Sequence, residues 1–184
     1  MTLQLPLHSD RLRFRWPTDA DIEPMHSYQS REDYAMHAWR EPRDMDHVIR
    51  TVEANREPGS WSFDGDSLRV AISPHDSDEL VGEIVLTLVD AESAQVEIGW
   101  ALHPDHTGKG YAAEAARTAV DAAFEHLGAH RVFARLDSLN VASAKVCERV
   151  GMRQEATLRE SHYQLGEWRD ELVYAVLVSE RRAD

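Results

Sequence analysis

The stretch VEIGWALHPDHTGKGYAAEAA, Val96–Ala116, passes from an apolar run through a glycine-bracketed lysine into an alanine-rich segment. The apolar run belongs to a strand over Ala94–Leu102. A helix starts at about Gly110 and runs to Leu127, where Gly128 takes a C-cap position. Gly108 and Gly110 free the backbone for conformations that a Cβ forbids and let a ligand approach closely. Exposed N–H groups at a helix start, with the helix dipole behind them, favour a phosphate or pyrophosphate. Lys109 adds charge or simply faces solvent.

Outward from this unit the pattern stays mixed. RLRFRW (Arg11–Trp16) alternates, with Leu12, Phe14 and Trp16 on one face of a strand. Thr18 and Asp21 have the spacing of a capping-box variant, so a helix follows, and Pro24 is tolerated only in its first turn. Met45, Val48, Ile49 and Val52 share a second helical face. Pro58–Trp61 is a turn. Leu68–Ser73 and Leu80–Asp90 flank the turn-forming PHDSDE and predict an antiparallel hairpin. RVFARLD is a strand, NVASAKVCERVGM a helix stopped by Gly151, MRQEATL a strand, and ELVYAVLVS an apolar strand near the C-terminus. The expected class is α/β (α+β): a mixed sheet with helices on its faces, in one domain over 1–184.

Composition narrows the function. The 184 residues include 20 Lys and Arg against 33 Asp and Glu, a net charge of −13. That balance excludes generic nucleic-acid binding, which needs cationic contacts to phosphate. It aids solubility, and it favours a cationic partner. One cysteine, Cys147, excludes an internal disulfide framework and fits a reducing cytoplasm. The N-terminus lacks the pattern of a signal peptide, and no run reaches the roughly 20 apolar residues of a membrane span. No membrane partner is expected. HExxH, CxxC and GxSxG are absent, and His103 and His106 stand beside Pro104 without further ligands, so no metal is expected.

Three phosphate-binding readings compete for the loop. A Walker loop fails, because position 103 is His and position 110 is Gly. The dinucleotide fingerprint GxGxxA matches at Gly108, Gly110 and Ala113 and implies a NAD-binding oxidoreductase. Against it, HPDHT separates the strand from the first glycine, and Asp137 lies beyond the usual spacing of about 20 residues. The third reading is a coenzyme A site. VEIGWALHPDHTGKGYAAEA with LDSLNVASAKVCERVGM resembles the core of a GNAT N-acetyltransferase, more closely the RimJ/RimL type that acetylates protein N-termini. SDRLRFRWPTDADI, LVGEI and LRESHYQLGEWRDELVYAV extend the likeness over most of the chain. The resemblance implies a V-shaped, splayed mixed sheet and acetyl-CoA as cosubstrate. It departs from the family pattern at Thr107, where Gln or Arg is usual, and keeps Gly110 and Ala112.

The resemblance also implies the chemistry: direct attack of a primary amine on the thioester in a ternary complex. The acceptor is a protein N-terminus or a small amine, cationic by the charge argument. A base must deprotonate the amine, donors must hold the oxyanion, and an acid must protonate the thiolate. By position, Glu97 is one base candidate and His162 the other, with Glu160 and Tyr163 as neighbours of the latter. Ser143 is the candidate acid. Backbone contacts to coenzyme fall on Ile98, Trp100 and Leu102, and the cradle on Thr107, Gly108, Lys109, Gly110, Tyr111 and Ala112. Asn140 caps its helix and, in the family, also lies near the pantetheine arm. Lys145 reaches a phosphate or faces water. Tyr34, Met36, Trp39, Tyr163 and Trp168 line an acceptor pocket or are ordinary core and surface aromatics. A non-catalytic acyl-CoA-binding domain is the alternative without a working base. The family likeness allows a homodimer.

Overall fold

The computed structural model describes residues 3–57, 59–164 and 166–181; Pro58, at the expected turn, lies outside them. Two strands, β1 (Leu7–His8) and β2 (Leu12–Arg15), lead into three helices: α1 (Ile22–Gln29), α2 (Glu32–His37) and α3 (Met45–Ala54). Then come β3 (Ser67–Pro74), β4 (Gly82–Asp90), β5 (Gln95–Leu102) and α4 (Tyr111–Glu125). The chain continues through β6 (Arg131–Asp137), α5 (Val141–Val150), β7 (Arg153–Gln164), β8 (Glu167–Leu177) and the short α6 (Val178–Arg181). The eight strands form one sheet in the order β1-β2-β3-β4-β5-β6-β8-β7.

Local chemistry accounts for most boundaries. Asp21 accepts the Thr18 N–H at 2.7 Å, closing the turn that precedes α1, and Pro24 falls in the first turn of that helix. Asp44 caps α3 by accepting the His47 N–H at 2.7 Å, and Asn140 caps α5 through the Ser143 N–H at 3.0 Å. Val48 and Val52 of the expected α3 face are fully buried.

The helices cover both sides of the sheet. On one side α4 and α5 bury Ala115, Val120, Val146 and Cys147 against Val70, Ile84, Leu86, Val96 and Ile98. On the other, Met25 and Tyr28 of α1 with Val48 and Val52 of α3 pack on Ala71 and Ala101. Alternation along β5 therefore sends Ile98 towards α4 and α5, and Ala101 towards α1 and α3.

The feature that places the site is the junction of β5 and β6. They pair in parallel only from Gln95 to Glu97 against Arg131 to Phe133. Beyond Glu97, β5 stays with β4 as far as Leu102, while β6 stays with β8 as far as Asp137. The sheet opens there into the expected V.

Three details differ from expectation. The first helical region is two helices, broken after Ser30, so Tyr34 and Met36 belong to α2 and Trp39 to the turn after it. The strand expected at MRQEATL runs on to Gln164 and returns through Gly166 as a long hairpin with β8. Its outer half is polar, with only His162 and Gln164 half-buried, and bulges between Leu158 and His162, so no apolar alternation marks it. The last strand, β8, then lies between β6 and β7.

Candidate active site

A cavity of about 660 Å³ fills the mouth of the V and continues under α1, α2 and the turn before α3. Its floor comes from the sheet. Glu97, Gly99 and Ala101 project to the α1/α3 side, with Glu83 and Val85 beside them on β4. Ile98, Trp100 and Leu102 line it from the other side, together with Asn140 and Ser143 at the start of α5. A Cβ built on Gly99 meets nothing within 4 Å, so the backbone is bare to the cavity beside Glu97.

At one end stands the loop. Gly108 has φ +76° and Gly110 φ +83°. Among the described residues, the N–H groups from Gly108 to Ala113 donate to no protein acceptor, and the first helical bond is Glu114 N–H to Gly110 O. Six donors thus stand free in succession at the N-terminus of a helix of 15 residues, a place that favours an anion. The loop is latched from β2. Arg11 donates to Lys109 O at 3.0 Å and pairs with Glu114, which also accepts from Ser9 at 2.7 Å. Burial works against the charge of Glu114, but Ser9 and Arg11 outweigh it and hold the carboxyl below its ordinary pKa.

The cradle residues divide. Thr107, Gly108, Gly110 and Ala112 line the cavity. The Thr107 hydroxyl donates to Pro104 O at 2.9 Å, so it braces the loop. Lys109 Nζ lies 3.5 Å from His106 Nδ1, and the Tyr111 ring lies under the Arg11 guanidinium, 4.8 Å from its centroid. Neither side chain lines the cavity, and Lys145 is exposed outside it. Ala113, named only for the dinucleotide fingerprint, completes this end with Val146 and Arg149, which sequence reading did not place in a site.

The base candidates are separated. Glu97 lies on the cavity floor, and Arg135 of β6 spans the V to it with paired bonds of 3.0 and 2.9 Å. That carboxylate raises the Arg135 pKa further, chiefly through the hydrogen bonds. His162 is not in the cavity wall. Its Nε2 meets the buried Glu171 carboxylate, and its ring stacks on Trp39 at 4.1 Å between centroids. Trp39 lines the cavity at φ +47°, held also by Gln164, whose amide donates to Arg40 O at 3.1 Å. The β7–β8 hairpin therefore braces the turn after α2. Of the aromatic candidates, Tyr34 and Trp39 line the cavity; Tyr163 and Trp168 pack on each other, exposed on the hairpin.

Of the far end under α1–α3, the sequence reading named only Tyr34. Gln29, Tyr34, His37, Arg40, Arg43 and His47 line it. Below them Arg69 pairs with the buried Glu83, which also accepts from Gln29 Nε2 at 2.7 Å. Cys147 is buried between α5 and the sheet, and burial pushes its thiol up to about 12, which removes it as a nucleophile. No group of side chains suited to a metal occurs among the described residues, and no helix there is long and apolar enough to cross a membrane.

Comparison with known proteins agrees with this architecture. Residues 11–153 match the family model described as acetyltransferase (GNAT) domain. The uncharacterized N-acetyltransferase YnaD of Bacillus subtilis (strain 168) is 36% identical over 105 residues, 57% of this chain and 61% of YnaD. A crystal structure of a GNAT-family acetyltransferase from Bacillus anthracis superposes with TM-score 0.83 at 28% identity, over 94% of this chain and 98% of that one. Spermidine N-acetyltransferase from Vibrio cholerae, in complex with CoA and spermine, shares the fold with TM-score 0.81 at 20% identity, over 94% and 98%. The dinucleotide reading of GxGxxA falls with these findings: in a sheet of otherwise antiparallel neighbours, β5 and β6 are the one parallel pair described. The chain belongs to the GNAT acetyltransferase family.

Proposed function

We propose that this protein, acting as one domain over 1–184, moves an acetyl group from acetyl-CoA to a primary amine by direct attack in a ternary complex. The acceptor is a protein N-terminus, in the manner of RimJ/RimL enzymes, or a small amine. The observation that carries the reading is the V between β5 and β6, with a cradle of free N–H groups at one end and a carboxylate on its floor. The residues present fit the coenzyme. The N–H groups of Gly108 to Ala113 receive its pyrophosphate, and positive φ at both glycines keeps the loop open. Past Glu97, the β5 edge has no strand partner and offers backbone groups to the pantetheine arm. When bound, acetyl-CoA supplies the activated acyl group.

The chain's own groups then handle protons. Glu97 accepts the proton from the acceptor ammonium, since only a neutral amine attacks. Arg135 fixes the carboxylate while leaving a lone pair on each oxygen free. Ser143, at the first turn of α5 on the opposite wall, donates to the departing sulfur. The Glu171–His162–Trp39 stack shapes the acceptor side and acts through position. On this assignment Glu97→Gln lowers turnover by roughly 10²–10⁴-fold with coenzyme affinity retained. His162→Ala stays within about tenfold of the parent, below what removing a general base costs. Loss of turnover in His162→Ala with an active Glu97→Gln transfers the base role to His162. Coenzyme binding without transfer to any amine, in the unaltered protein, makes it an acyl-CoA-binding domain instead.

A further inference from the structure

The whole chain carries −13, yet the cavity does not share that sign. Five arginines line it (Arg40, Arg43, Arg69, Arg135 and Arg149) against two glutamates, Glu83 and Glu97. Both glutamates are already paired, Glu83 with Arg69 and Glu97 with Arg135. Arg40 and Arg43 have no carboxylate within 4.0 Å among the described residues. They sit on the α1–α3 side of the sheet, the side that Glu97 and Gly99 face, and the pyrophosphate cradle opens on the other.

These two guanidinium groups are held in place. Arg40 donates to Glu41 O at 3.0 Å and lies over the Tyr34 ring at 5.1 Å. Arg43 Nη1 lies 3.4 Å from His47 Nδ1, and the Arg43 N–H donates to Gln29 O at 2.9 Å. Of the acidic residues next to this group, Asp44 is spent on capping α3, and Glu41 is exposed. Burial and the charges of Arg40 and Arg69 lower the Arg43 pKa, and burial with Arg43, Arg50, Arg40 and Arg69 lowers that of His47. Like charges gathered in a half-buried wall oppose one another, and an anion seated among them removes the conflict. A polycation meets the reverse.

Resting on the acetyltransferase reading, we propose that the acceptor is an amine whose own body carries a carboxylate or a phosphate, seated by Arg40 and Arg43 while its nitrogen reaches Glu97. The planar guanidinium fork suits either anion. This reverses the partner expected from net charge, which describes the outer surface rather than the cavity.

The test is acetyl-CoA-dependent thiol release, measured over matched acceptors. One series holds ω-amino carboxylates of increasing length; the others hold ω-aminoalkyl phosphates, the corresponding diamines, and peptides with Asp or Lys after a free N-terminal Ser. The expected result is a kcat/KM at least about tenfold higher for an anionic acceptor than for its cationic partner, the size of one charge-assisted contact. The carboxylate, phosphate and peptide arms show which body carries the anion. Arg43→Glu loses that preference through the acceptor KM, Arg43→Lys retains part of it, and the acetyl-CoA KM stays unchanged in both. Arg40→Gln weakens it independently. Diamines or Lys peptides acetylated as well as the anionic partners by the unaltered protein overturn the proposal and leave the acetyltransferase reading standing. Coenzyme binding with no acetylation of any series overturns both.

Discussion

Replacing Gly108 by alanine tests the cradle through backbone strain alone. Gly108 holds φ +76°, and a Cβ built there meets nothing within 4 Å. The substitution therefore brings no clash. Its cost is the left-handed backbone itself, about 1–2 kcal/mol for a residue with a Cβ. The flanking loop is exposed, so the free protein escapes this cost by letting φ turn negative. Coenzyme binding must then rebuild the cradle and absorb the strain. Through RT ln Kd, that is a Kd about 5- to 30-fold weaker. Gly110→Ala follows the same arithmetic, since its Cβ meets only Arg11 Nη2 at 3.5 Å, an ordinary contact. Gly151→Ala is the control: φ there is +90°, again with nothing within 4 Å, but it ends α5. It lowers stability by a similar amount and leaves Kd alone. Calorimetric titration with coenzyme A reads the first effect and denaturant unfolding the second. A Gly108→Ala protein that binds coenzyme as the parent does, beside a destabilised Gly151→Ala protein, refutes the cradle.

Two more predictions come from positions that sequence reading treated lightly or not at all. Gly99→Leu puts a side chain into open space beside Glu97, with no positive φ to strain. Steady-state kinetics should show acceptor kcat/KM down about tenfold or more, and unfolding should show a stability unchanged or raised by about 0.5–1 kcal/mol from the loss of a strand glycine. Equal activity would mean that the acceptor does not pass over Gly99. Cys147, with its thiol pushed up to about 12, stays protonated from pH 7 to 9. Alkylation of the folded protein should therefore stay far slower than that of an ordinary thiol of pKa about 8.5 throughout that window, without the levelling near pH 9 that the ordinary thiol shows. A rate as fast as in the unfolded chain, levelling near pH 9, would show that the α5 face is open.

What the sequence disclosed follows the range of the interactions involved. The β3–β4 hairpin, β5, the glycine loop, α4 and α5 were legible because periodicity, caps and punctuating glycines act within a few residues. The V at Glu97 was visible only through family likeness, since it depends on where β5 and β6, linked by α4, stop pairing. The long β7–β8 hairpin was half seen: its polar outer arm carries no apolar alternation, and the bulge before His162 displaces the register that brings Glu171 to it. Of the wall under α1–α3 only Tyr34 was seen. Arg40 and Arg43 look like solvated charges in sequence, and the Arg69–Glu83 pair forms only across two strands. Net charge sums the whole chain and does not resolve the sign of the cavity wall.

Thermal unfolding with acetyl-CoA and, separately, with NAD tests the central assignment most directly. At 100 times its dissociation constant, acetyl-CoA should stabilise the folded protein by about 2.7 kcal/mol, while NAD at the same concentration leaves the transition in place. A shift with NAD and none with acetyl-CoA would contradict the account, from the cradle at Gly108–Ala113 to the chemistry at Glu97.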